Sequence, residues 1–145
     1  MQAWRKHGIL NVMKNRVVHF EIQAENPERA ITFYKEVFGW EFPVWMEEPV
    51  KYWGVMTAEK DSKDLGINGG LLVRKGVAPM EGQPVNAYVC TVQVEDIDDI
   101  IAKIEGAGGT VALPKHALMG MAWQAYYKDT EGNIFGIHQS DPNAA

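Results

Sequence analysis

Only one cysteine, Cys90, occurs in 145 residues, so no intrachain disulfide can form, which fits a reducing compartment. It lies in an apolar, alternating stretch with no basic neighbour to depress its thiol pKa, and reads as a small buried hydrophobe rather than a nucleophile. Long apolar runs are missing too: none approaches the roughly 20 residues of a membrane-spanning helix, and no membrane partner is expected. Positive charge is scarce. Fourteen Lys and Arg face 19 Asp and Glu, a net charge of -5 that removes any global attraction for nucleic acid. Phosphate-binding loops, paired cysteines, a Gly-x-Ser-x-Gly elbow and His-x-x-x-Glu helix motifs are absent, which excludes several common enzyme classes. The opening "MQAWRKHGILNVMKNRVVHF" is basic but has no long apolar core and no small-residue cleavage site, so it is not read as a secretory signal, and a cytoplasmic location is expected.

What is present is an ordinary globular composition, 46% hydrophobic and 23% charged, long enough for one domain or two half-domains. The chain repeats. A shift of 70 residues lays "IQAENPERAITFYKEVFGW" on "VQVEDIDDIIAKIEGAGGT", and further along places Trp53 on Trp123. Asn26 and Asp96 occupy equivalent positions, each able to cap a following helix by accepting a backbone N–H, and Pro27 suits the first helical position. Ala30, Phe33, Tyr34, Val37 and Phe38 form one apolar stripe; Ile97, Ile100, Ile101, Ile104 and Ala107 form its counterpart. Gly39 and Gly108-Gly109 stop the helices, and three strands are expected after each. The predicted organisation is an N-terminal extension (1–14), a first module (15–75), a linker (76–85), a second module (86–140) and a polar tail (141–145). Its fold class is α+β: two βαβββ modules forming a curved, barrel-like mixed sheet around a cavity, with the helices outside.

Strand alternation assigns the faces. Val18, Phe20 and Ile22 should lie under the first helix, leaving His19, Glu21 and Gln23 for the cavity; Cys90, Val92 and Val94 lie under the second, leaving Val89, Thr91 and Gln93. In the last strand Phe135 and Ile137 are core while Gly136 and His138 face inward. Lys115 and His116, in "LPKHALMGM", are expected on a solvated loop.

The repeat, "NPERAITFYKEVFGW" and the ending "YKDTEGNIFGIHQ" together resemble the vicinal oxygen chelate superfamily, which includes glyoxalase I, bleomycin-resistance proteins and extradiol dioxygenases; the resemblance covers roughly residues 16–140. It implies one divalent metal held by His and Glu side chains of the first and last strands of each module. His19 falls on such a position, but its repeat partner is Val89. Gly136 stands where a glutamate is usual, and the first-half equivalent falls near Gly69 or Gly70. Valine and glycine offer no side-chain donor, so neither a metal nor another cofactor is expected.

The expected activity is therefore binding of a small, apolar or aromatic organic molecule without the usual metal, whether or not turnover follows. Glu21, His19 and His138 are the candidate catalytic groups, Glu21 as base and a histidine as acid. Gln23, Thr91, Gln93, Trp53, Trp123 and Tyr127 are the candidate ligand contacts, among a larger set of strand aromatics that includes Trp45 and Tyr52. One alternative is a resistance-type protein that sequesters its ligand unchanged. Another is a metal-dependent lyase or dioxygenase using His19, Glu21 and His138 as a displaced triad. A homodimer is the expected assembly.

Overall fold

The computed structural model describes residues 15–86, 88–128, 130 and 133–145. The N-terminal extension expected at 1–14 therefore lies outside the described residues, as does most of the "DTEGN" turn. The strands and helices run β1 (Arg16–Ala24), α1 (Pro27–Phe38), β2 (Val44–Met46), β3 (Tyr52–Val55), β4 (Gly69–Val73), β5 (Val89–Gln93), α2 (Ile97–Gly106), β6 (Thr110–Leu118), β7 (Ala122–Lys128) and β8 (Ile134–Ser140). This is the predicted α+β order, strand, helix, three strands, written twice.

His19–Val89 form one compact unit; Cys90–Ala145, with residues 15–18, form the other. Within the first the strand order is β2-β3-β4-β1, with β1 parallel to β4 and β3 antiparallel to both its neighbours. The second repeats it as β6-β7-β8-β5, with β5 parallel to β8 and β7 antiparallel to β6 and β8. Both helix starts follow from their caps: Asn26 Oδ1 accepts the Arg29 N–H at 3.1 Å and Asp96 Oδ1 accepts the Asp99 N–H at 3.1 Å. Gly39 ends α1 at φ 72°, a left-handed conformation that a side chain would strain.

The second unit has an aliphatic core. Val94, Ile97, Ala125, Tyr127 and Ile137 are buried together, with Ile100, Ile101 and Ile104 of α2 packed against them. In the first unit rings take this role: Tyr34 stacks on Trp40 at 5.3 Å between centroids, and Trp40 in turn meets Phe20 and Phe38.

Two expectations need correction. Val18 does not lie under α1 but is 44% exposed, because the strand turns its alternating face inward only from His19 onward. Lys115 and His116 lie in β6, not on a loop; Pro114, which cannot donate to a ladder, sits where the β6–β7 register shifts between Leu113 and His116. The polar tail is docked: Ala144 is buried and its carbonyl accepts the Gly120 N–H at 2.8 Å.

Candidate functional site

In the first unit, alternation puts Phe20 and Ile22 on the helix side and leaves His19, Glu21 and Gln23 on the other. Across that second face, Glu21 lies in register with Gly70, and Gly70 with Gly54. These glycines are a floor. The Tyr52 hydroxyl end occupies the space a Cβ at Gly70 would need, and the Trp45 indole fills the same space over Gly54. The two rings are stacked at 6.3 Å and 20°. Tyr52 reaches His19, with 2.8 Å between the hydroxyl and Nε2; one tautomer has Nε2–H donating and the other accepts from the phenol.

Glu21 is 7% exposed, an unusual burial for a carboxylate. Partial burial holds the His19 pKa below its usual range by disfavouring the imidazolium, and the neighbouring Glu21 charge offsets this only in part. At neutral pH the arrangement is thus a neutral imidazole bonded to a phenol beside a carboxyl group. It can accept a proton, present a hydroxyl to a developing oxyanion and offer flat aromatic surface.

Trp53 is an expected ligand contact, whereas the structure puts Tyr52 and Trp45 on the face that carries His19 and Glu21. Trp53 pairs with Leu71, which pairs with Ile22, so it sits on the helix side and is 7% exposed. The signal was in "KYWGV": Trp53 shares its parity with the apolar Val55, which leaves Tyr52 and Gly54 for the opposite face.

In the second unit the corresponding face carries two rows in register, Thr91–Gly136–Tyr126 and Gln93–His138–Gln124. His138 Nδ1–H donates to Gln93 Oε1 at 3.0 Å, and Gln93 Nε2–H donates to Ser140 Oγ at 3.2 Å. Thr91 Oγ1 and Gln124 Oε1 are buried and have no hydrogen-bond partner among the described residues. Trp123 and Tyr127 lie on the helix side instead. Tyr127 is 3% exposed in the aliphatic core, where its hydroxyl donates to Glu105 at 3.1 Å, and burial followed by that contact raises its pKa. Trp123 Nε1–H donates to Asp141 at 3.0 Å, and the Lys115 ammonium lies 4.6 Å from its ring centroid. These two side chains therefore act in packing rather than on the polar face.

The structure brings His19 and Glu21 together in one unit and seats His138 on the polar face of the other. As they stand, the positions usual for metal ligands offer few donor side chains. A Cβ at Gly136 would sit 2.7 Å from Thr91 Oγ1 and 3.1 Å from Gln124 Nε2, so the position usual for a glutamate has no room for one as the neighbours stand. His19 Nε2 is engaged by Tyr52, and among the described residues no three His, Cys, Asp or Glu side chains gather as a metal-holding group.

Comparison with known proteins agrees with this architecture. The family model described as Glyoxalase/Bleomycin resistance protein/Dioxygenase superfamily matches residues 16–137. No curated protein matches the chain. Among solved structures, a methylmalonyl-CoA epimerase in complex with methylmalonyl-CoA and NH4+ is similar at TM-score 0.59 and 19% identity, covering 91% of this chain and 99% of that one. A variant of the Streptomyces coelicolor methylmalonyl-CoA epimerase in complex with 2-nitronate-propionyl-CoA is similar at TM-score 0.58 and 19% identity, with the same coverage, 91% and 99%. A hypothetical protein from Bacillus halodurans gives TM-score 0.60 and 16% identity over 90% and 98% of the two chains. At these identities the likeness is one of fold.

Proposed function

The chain belongs to the glyoxalase/bleomycin resistance protein/dioxygenase superfamily, and we propose that within it the protein binds a small, flat, largely apolar organic molecule without the usual metal. The observation that carries this reading is the first unit's glycine floor. Gly54 and Gly70 let Trp45 and Tyr52 lie against the strands, so that aromatic surface meets the His19–Tyr52 hydrogen bond beside Glu21. A ring or acyl plane stacked there would present a polar substituent to the imidazole, the phenol or the carboxylate.

A second reading, metal-free proton transfer, is supported by the buried Glu21 beside a neutral His19. Glu21 would take a proton from a carbon next to a carbonyl, and the Tyr52 hydroxyl would hydrogen-bond the enolate oxygen that forms. Sequestration without conversion is the competing outcome.

One probe separates them. 2-Tetralone is aromatic, uncharged and carries acidic protons beside its ketone. Titrated into the protein, it is expected to shift the Trp45 indole and His19 ring NMR signals saturably; unmoved signals would overturn the binding reading. In D2O, exchange of the probe's acidic protons faster than in buffer, lost in Glu21→Gln while binding persists, would favour catalysis. Saturable binding with exchange no faster than buffer would favour sequestration. The same reading takes a homodimer as the working unit, which light scattering tests against a chain mass of 16.3 kDa.

A further inference from the structure

In the first unit a cleft of about 470 Å³ opens between the end of β1, Gln23 included, the first turns of α1 and the segment that follows β4. Its walls are of two kinds. Ile22, Phe33, Tyr34 and Pro79 are apolar, and Phe33 is 54% exposed. Arg29 and Arg74 supply positive charge, with Glu25 as the opposing carboxylate in the lining.

Arg74 is held in place. Its backbone N–H donates to Ala24 O at 2.9 Å, and its guanidinium donates to Gln23 O at 2.8 Å and to Asn86 Oδ1 at 3.4 Å. Both side-chain partners are neutral, and among the described residues no carboxylate pairs with it. A guanidinium has five N–H donors, so a fork capable of gripping an oxyanion stays available on a side chain whose ordering cost is already met. Among the described residues the Arg29 side chain makes a 3.8 Å contact with Glu25, both of them exposed, a pairing too weak to hold it from a better partner. An anion-suited pair of cations beside exposed aromatic surface, on a chain of net charge -5, is a local departure from the rest of the sequence.

We propose that this cleft binds a small organic oxyanion, its carboxylate or phosphate held by Arg74 with Arg29 and its apolar body covered by Phe33 and Tyr34. The cleft lining contains none of His19, Glu21 and Tyr52, and its ligand need not be one that binds beside them.

The test is titration of the full chain with phenyl phosphate and with 3-phenylpropionate, followed by amide and arginine side-chain NMR. Saturable shifts are expected at residues 28–30 and at the Arg74 guanidinium. Inorganic phosphate alone and phenol alone should each bind at least about tenfold more weakly, since each offers half of the recognition. Arg74→Gln should weaken phenyl phosphate by about tenfold or more, and Arg29→Gln by severalfold. The Arg29 variant serves if loss of the Gln23 contact unfolds the Arg74 variant. Glu21→Gln and Tyr52→Phe should leave this affinity unchanged, which separates the cleft from the group around His19. Absence of saturable shifts, equal affinity in both arginine variants, or binding of phenol as tight as phenyl phosphate would overturn the proposal.

Discussion

The two units share one topology and a repeat of 70 residues, yet they are held together by different chemistry. In the second, α2 lays Ile97, Ile100, Ile101 and Ile104 into an aliphatic core with Val94 and Ile137. In the first, α1 is fixed through rings, Tyr34 against Trp40 and Trp40 against Phe20, while Phe33, Val37 and Phe38 remain 54%, 54% and 56% exposed. Their polar faces differ in the same way. One carries an ionisable His19 and Glu21 beside rings lying on glycine; the other carries Thr91, Gln93 and Gln124 with a histidine oriented by an amide. The contrast teaches that a duplicated fold can divide its packing: one half joins helix to sheet through aliphatic side chains, and the other through rings that leave apolar surface exposed.

That division can be broken by mutation. The largest expected effect is Ile97→Ala: the residue is 1% exposed, and its truncation should cost about 2–5 kcal/mol in chemical denaturation. Phe33→Ala at 54% exposure should cost less than about 1 kcal/mol, and equal costs would erase the contrast. Next come the two glycines. Gly70→Ala meets the Tyr52 ring and Gly136→Ala meets Thr91 Oγ1, so each should destabilise by about 1–3 kcal/mol. Only the first should also disturb the His19 ring signals, through Tyr52.

A smaller change is Tyr127→Phe, which removes the hydrogen bond to Glu105 and should cost about 0.5–1.5 kcal/mol by thermal melting. The smallest is a pH effect. Because the folded pKa of His19 is depressed, the unfolded chain binds the proton more readily below its ordinary value of 6.5. The His19 contribution is therefore fully present well above pH 6.5 and declines as pH falls through that value toward the folded pKa. His19→Gln should flatten this part of the profile, and an unchanged profile would show that burial does not perturb the imidazole.

Much of the fold was legible because its signals are local. Asn26 and Asp96 before apolar stripes, Pro27 at a helix start and glycine at a helix end each act within a few residues, and the repeat cross-checked them. The site was legible only in its first strand, where the alternation of Phe20 and Ile22 with His19 and Glu21 is regular. Trp53, Trp123 and Tyr127 fall on the helix side for one reason: aromatic content carries no parity, and in a strand one step along the register reverses the face. The part played by Gly54 and Gly70 could not be read at all, since it depends on which rings cross them from neighbouring strands. Pro114 misled in the opposite direction, by suggesting a loop within a strand that absorbs it at a register shift.

A metal-free site is the central expectation, since Val89, Gly136 and Gly69 or Gly70 stand where ligands are usual. Its most direct test is titration of chelator-treated protein with Zn2+ and Mn2+, followed calorimetrically and by His19 and His138 ring signals. No saturable ion near one per chain and no specific shift of either ring are expected. One tightly bound ion per chain, lost in His19→Gln, would contradict this.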